Sequence, residues 1–309
     1  MSKVTFGIVN YNRLFYLKSC AETLMESVAD YEDVEFICID DNSKEKGTTE
    51  YLETLKNRGW LVINQEEHRQ QEKDRVDYYN DTVHMSAFSD ALNIMLDKAT
   101  GDYFVPIQGD IQFVKKNWLN SYIELFEERE DIGCVCLDAQ RKVRLENSYF
   151  TDHVEADNNI FAIDRTRKIG GAGDAFFKTS MLRDMGGWTQ GETGTPETNF
   201  VEKINTKYDG MMKPYVPWNP PAALIITGMG TNARIRGGKR YGKYWEAKSD
   251  NLYYEWADDL DLNMQRQRPQ SIEELLVTNG GWDLPLDDAG NMIKIGVNFE
   301  GDEFEEIEE

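Results

Sequence analysis

The chain has 309 residues and a formal charge of −22, which argues against a nucleic-acid backbone as main partner and against electrostatic docking on anionic lipid. Its 40% hydrophobic content, with 12% aromatics, fits a globular chain rather than a disordered one, and the length suits one large domain or one domain plus an appendage. Charge does not exclude a nucleotide, because a divalent cation can screen its phosphates.

The first residues, Met-Ser-Lys, run straight into a strand-like segment, so no signal peptide is expected. No apolar stretch approaches the roughly 18–20 residues of a membrane span. The apolar run from Val4 to Val9 predicts a buried strand, and the spacing from Leu14 to Val28 predicts a helix. A second buried strand is predicted over Val34 to Ile39, ending in Asp40-Asp41-Asn42-Ser43. A helix is expected from about Thr48, a short strand over Trp60 to Ile63, a helix over Ser86 to Ala99, and a strand over Tyr103 to Ile107. That strand stops at Gln108-Gly109-Asp110, and Trp118 to Phe126 and Ile132 to Leu137 predict one more helix and strand. The alternation implies a mostly parallel, doubly wound α/β sheet, in which ligands bind off the carboxyl ends of strands.

After residue 140 the pattern is mixed. Gly170-Gly171-Ala172-Gly173-Asp174 leads into Ala175-Phe176-Phe177, and Gly186-Gly187-Trp188 marks another turn. Thr195-Pro196-Glu197 reads as a helix start with Thr as cap and Pro in the first position. Residues 231–298 form a C-terminal extension with a basic segment and an aromatic helix, and the acidic tail 299–309 is expected to be disordered. The cysteines Cys20, Cys38, Cys134 and Cys136 read as buried free thiols, and a cytoplasmic setting fits them, with peripheral membrane attachment left open.

Several residues have chemistry to offer. Asp40 and Asp41 close a buried strand, where carboxylates can meet a base, a ribose or a metal; an Asp-Asn turn that caps a helix accounts for them as well. Asp110 follows Gly109 at another strand end, a place suited to a divalent ion bridging two phosphates or to an ordinary turn. Glu197 is favoured in a first helical turn by the dipole, and in the same place it can serve as a general base. Arg234, Arg236, Lys239, Arg240 and Lys243 stand within ten residues without an intervening acid, which fits a glycine-bearing loop closing over a diphosphate, or a solvated surface. Trp188 is a candidate to stack on a sugar ring, or a core residue.

In order and spacing these pieces resemble the inverting glycosyltransferases of family 2, which have the GT-A fold. The match runs from Gly7-Ile8-Val9-Asn10-Tyr11-Asn12-Arg13 through Ile37-Cys38-Ile39-Asp40-Asp41-Asn42-Ser43. It continues from Asn93 through Gly101-Asp102-Tyr103-Phe104 to Gly109-Asp110, and then to Gly186-Gly187-Trp188 and Glu197, covering about residues 3–205. The resemblance implies a GT-A domain over 1–230, and Val9, Tyr11, Arg13, Asp40 and Asp41 at the donor nucleotide. It further implies Asp110 on Mn2+ or Mg2+, Glu197 as catalytic base, the basic segment as diphosphate lid, and Asp174 and Trp188 toward a glycan or other hydroxyl acceptor.

Three departures stand out: Gln108-Gly109-Asp110 in place of Asp-x-Asp, Leu92 where the family has Arg, and Thr198 where it often has Asp. They keep open a catalytically degenerate binder of nucleotide sugar or glycan. A sugar nucleotidyltransferase is disfavoured, since no glycine-rich loop follows the first strand. Donor base, acceptor and oligomeric state are not legible.

Overall fold

The computed structural model describes residues 2–11, 14–44, 46–65, 83–109, 111–113, 115–137, 153–157, 159–163, 174–188, 196–208, 213–217 and 222–225. Apolar segments bounded by polar turns become strands and helices in the expected order. They are β1 (Val4–Asn10), α1 (Leu14–Ser27), β2 (Val34–Asp40), α2 (Thr48–Asn57), β3 (Leu61–Asn64), α3 (Val83–Lys98) and β4 (Tyr103–Ile107). Next come β5 (Ile111–Phe113), α4 (Leu119–Glu128) and β6 (Ile132–Cys136). The mixed region holds β7 (His153–Ala156), β8 (Asn159–Ile163), β9 (Ala175–Lys178), α5 (Thr179–Asp184), α6 (Pro196–Lys207), β10 (Lys213–Pro217) and β11 (Ala223–Ile225). Pro196 occupies the first position of its helix, as expected, because its missing N–H has no partner to lose there.

Nine strands form one sheet in the order β3-β2-β1-β4-β9-β6-β10-β8-β7, and β5 pairs with β11 in a small second sheet. The β3-β2-β1-β4 half is parallel throughout. Beyond it β9 and β8 are reversed, each antiparallel to both neighbours, so the other strands of the large sheet share one direction. This is the mostly parallel mixed sheet of the expectation, with the reversed strands confined to the half whose sequence pattern was irregular.

Alternation along the strands feeds two cores. Val4, Phe6 and Ile8 of β1 and Tyr103, Val105 and Ile107 of β4 pack with Leu17, Cys20, Ala21 and Leu24 of α1. Ile37 and Ile39 of β2 and Phe104 of β4 face the other way, onto Ala91, Leu92, Met95 and Leu96 of α3. The helical residues recur at three- and four-residue intervals, which keeps them on one face. Full burial of a Val, Leu, Ile, Phe or Met side chain is worth about 1.5–3 kcal/mol. All four cysteines are buried free thiols, as read from their spacing. Among the described residues no helix is long and apolar enough to cross a membrane.

A polar clasp joins the amino ends of β1 and β2 to the end of α3. The Glu35 carboxylate accepts hydrogen bonds from the Thr5 hydroxyl, from the Thr100 amide at 2.5 Å and from the Thr100 hydroxyl at 2.6 Å, with Lys3 Nζ at 3.0 Å. Burial pushes its pKa up, but the bonds from Thr100, Thr5 and Lys3 outweigh burial and bring it down to about 2. Gly101 is required at the same corner, because a Cβ there would lie 2.8 Å from the Lys3 carbonyl oxygen and the Thr5 amide nitrogen.

Candidate functional site

The strand order makes a crevice. From β1 the chain moves outward to β2 and β3, then returns to β4 on the opposite side of β1. Loops leaving the carboxyl ends of β1 and β4 therefore diverge, the arrangement that opens a binding cleft in α/β sheets. The residues there are Asn10 and Tyr11 after β1, Asp40 and Asp41 after β2, and Gln108 and Gly109 after β4.

Asp40 and Asp41 divide the work. Asp40 is 4% exposed, and its carboxylate accepts from Asn10 Nδ2 at 2.7 Å, from the Ser43 amide at 2.9 Å and from the Ser43 hydroxyl at 2.6 Å. A carboxylate so engaged is an internal pin. The pin closes the Asp40-Asp41-Asn42-Ser43 turn, with Asn42 at φ 58. Asp41 stays half-buried at the crevice, its amide bonded to the Asn10 carbonyl at 2.9 Å. Beneath them Cys38 is fully buried, and burial together with the charge of Asp40 raises its thiol pKa, so it stays a neutral core group. Val9 is half-buried against the α3-side core, and Tyr11 is 41% exposed at the rim.

The turn after β4 is held from two directions. Gly109 has φ +85, and a Cβ on it would lie 3.2 Å from the Val9 carbonyl oxygen, so the backbone passes close against the end of β1. On the other side the Gln108 amide donates to Asp174 Oδ1 at 3.0 Å. Asp174 is 8% exposed at φ 57; its amide donates to the Pro106 carbonyl at 2.6 Å and its carbonyl accepts from the Leu137 amide at 2.9 Å. Asp174 thus braces the ends of β4 and β6.

Trp188 lies in the interior. It is 1% exposed, edge-on to Phe104 and Phe177, and stacked on Phe200 with centroids 5.5 Å apart. A ring in that position is core and has no face to offer a sugar. Leu92, where the resemblance would put an arginine, is likewise fully buried.

Helix α6 is oriented by contacts along its length. Tyr208 just beyond its end donates to Asp184 Oδ2 at 2.7 Å, and Lys207 pairs with Asp184. One turn earlier Lys203 Nζ donates to the Gly187 carbonyl at 2.7 Å, and Phe200 stacks on Trp188. Arg183, next to Asp184, binds the Leu96 and Ala99 carbonyls at the end of α3, whereas Trp188 binds Asn93, farther up that helix. The end of α3 lies beside the start of β1, where Gly101 meets Thr5. The carboxyl end of α6 therefore lies toward the amino end of the sheet, and Phe200, nearer the start of the helix, lies level with Trp188 and Asn93.

Asp110, Arg13, Arg234, Arg236, Lys239 and Arg240 lie outside the described residues, as does the side chain of Glu197. Among the described residues no group of three or more His, Cys, Asp or Glu side chains forms a metal cluster. Sequence reading passed over Asn10, Ser43 and Lys203. The signal for Asn10 was present: a polar residue closing an apolar strand, level with a carboxylate that ends the next one.

Similar architectures are known. S. aureus TarS superposes with a TM-score of 0.51 at 14% identity, over 75% of this chain and 38% of that one. TarS 1–349 in complex with UDP gives 0.51 at 14%, over 82% and 70%, and its complex with UDP-GlcNAc gives 0.50 at 14%, over 85% and 64%. This chain thus spans well under half of full TarS, and at such identity the likeness is one of fold. No curated protein matches the sequence. Residues 5–186 match the family described as Glycosyl transferase family 2. With more than half its length matched and this sheet beneath it, the chain belongs to glycosyl transferase family 2 and carries the GT-A fold.

Proposed function

We propose that the protein is an inverting glycosyltransferase that moves a sugar from a nucleoside diphosphate donor, UDP-linked by preference, onto a hydroxyl of a glycan or other acceptor. One observation carries the reading: β1, β2 and β4 end side by side at the carboxyl edge of the sheet, where the strand order reverses and a crevice opens. The binding of UDP and UDP-GlcNAc by TarS, a protein of like fold, supports the choice of donor. The setting that follows is the cytoplasm, where nucleotide sugars are made available, with peripheral membrane attachment left open.

In this reading Val9, Tyr11, Arg13 and Asp41 receive the nucleoside, with Asp40 holding their turn in place. A divalent cation, Mn2+ or Mg2+, suits the turn after β4. Asp110 is a hard oxygen donor of the kind these ions take, and such ions are often held by one or two carboxylates together with substrate phosphates and water. When bound, the cation neutralises charge on the departing diphosphate. The acceptor oxygen attacks the anomeric carbon as its proton passes to the Glu197 carboxylate. The bond from that carbon to the diphosphate oxygen breaks, the nucleoside diphosphate leaves, and the configuration inverts. The basic segment from Arg234 to Lys243, with Arg236, Lys239 and Arg240, closes over the diphosphate.

Calorimetric titration of UDP, GDP, CDP and dTDP, with and without manganese, tests the donor site, with Asp110→Ala as control. The expected result is preferential binding of UDP that needs both manganese and Asp110. Glu197→Gln is expected to keep that binding and to lower turnover about 10²–10⁴-fold, the range for loss of a general base. A nucleotide that binds with no turnover in either form would favour the non-catalytic binder, the reading that the shortened Gln108-Gly109-Asp110 motif supports. If no nucleotide binds, the donor-site reading fails.

A further inference from the structure

Asn93 lies in the middle of α3, on a helix otherwise packed by Ala91, Leu92, Met95 and Leu96, and its side chain is directed at the backbone of a single distant residue. Its Nδ2 donates to the Trp188 carbonyl at 2.7 Å, and its Oδ1 accepts from the Trp188 amide at 2.9 Å. An amide side chain that both donates to and accepts from one residue fixes the orientation of the partner backbone as well as its distance.

The preceding residue is shaped to admit it. Gly187 has φ +65, and a Cβ there would lie 2.2 Å from Asn93 Oδ1. From the other side Lys203 of α6 donates to the Gly187 carbonyl at 2.7 Å, and burial lowers the pKa of that lysine. The turn Gly186-Gly187-Trp188 is thus gripped between a fixed helix, α3, and the helix that brings Glu197. Ring stacking of Trp188 on Phe200 extends the grip toward the start of α6.

We propose that Asn93 is a positioning residue for the transfer step: through the backbone of Gly187 and Trp188 it sets where α6 begins, and hence where Glu197 stands relative to Asp41 and Asp110. Lys203 is the second strut of the same device. The proposal rests on Glu197 being the base. It separates two properties that a general loss of structure would lower together. Asn93 bonds to the turn that α6 holds through Lys203 and Phe200, whereas the donor-binding groups lie at the ends of β1, β2 and β4. A displacement of about 1 Å in a reacting group is enough to cost about 10²-fold in rate.

The test compares Asn93→Ala, Asn93→Asp and Lys203→Met with the full-length protein. UDP release from UDP-GlcNAc with manganese gives kcat and KM, calorimetry gives UDP affinity, and hydrogen exchange reports on residues 196–207. Asn93→Ala is expected to lower kcat about 10–100-fold, with KM and UDP affinity held within about twofold. Exchange should rise across α6 and stay unchanged in β1, β2 and β4. Asn93→Asp keeps the acceptor for the Trp188 amide and loses the donor, so its kcat should fall between the two; it also serves if the alanine variant fails to fold.

Wild-type exchange in α6 of either Asn93 variant overturns the proposal. So does an unchanged kcat, or a loss of UDP affinity that keeps pace with the loss of rate. Glu197→Gln tells the two readings apart. If it turns over at the wild-type rate, Glu197 is not the base. If it is slow while the Asn93 variants are not, positioning by Asn93 alone is refuted.

Discussion

Two adjacent aspartates at the end of β2 have opposite relations to their surroundings. Asp40 holds three hydrogen bonds in the interior, so Asp40→Ala takes one partner from the Asn10 amide and one from each of the Ser43 amide and hydroxyl. Loss of about 1–3 kcal/mol is expected, read as a lower urea midpoint. Asp41→Ala should have a smaller effect on unfolding and lower UDP affinity at least tenfold by calorimetry. Glu35 offers a pH-dependent counterpart. Its pKa of about 2 lies below the unfolded value of about 4.3, so the fold holds its ionised form. The stabilisation is complete above about pH 4.3 and drains away as pH falls toward 2. Denaturation midpoints measured across that window should fall less steeply in Glu35→Gln than in wild type.

At the scale of elements, the turn after β4 is where conformation and chemistry are most closely tied. Gly109→Ala forces a side chain into a left-handed backbone position against the Val9 carbonyl. The variant should weaken manganese-dependent UDP binding more than manganese-independent binding, because the turn that presents Asp110 moves while the end of β2 stays. Strands buried on both faces, such as Tyr103–Ile107, were legible as continuous apolar runs. So were α1, α2, α4 and the start of α6, and α3 begins at Val83 rather than Ser86; α5, six residues long, was not. The strands β7 to β11 were not legible. They are three to five residues long, and β10, Lys-Pro-Tyr-Val-Pro, carries two prolines that argue against an interior strand, yet it lies between β6 and β8. Of the site, the strand-end carboxylates could be read because they interrupt apolar runs. The interior fate of Trp188 could not, since Phe104, Phe177 and Phe200 reach it from three distant segments.

Across the whole molecule, the sheet joins two halves of different construction. The half from β3 to β4 is made from a continuous stretch of chain, with helices between its parallel strands. In the other half, β9 fills the gap between β4 and β6, and β10 fills that between β6 and β8. Among the described residues the hairpin β7-β8 joins the sheet through β10, by the pairing of Ile163 with Tyr215 and Phe161 with Pro217. During synthesis, therefore, the half from β3 to β4 can assemble as soon as β4 has emerged, while the hairpin must wait some fifty residues for the strand that anchors it. Pairings so far apart in sequence form slowly. In pulsed-labelling refolding, amides of β1, β2 and β4 should acquire protection before those of β7 and β8, and a ribosome-stalled chain ending before Lys213 should have the first group protected and the second exposed.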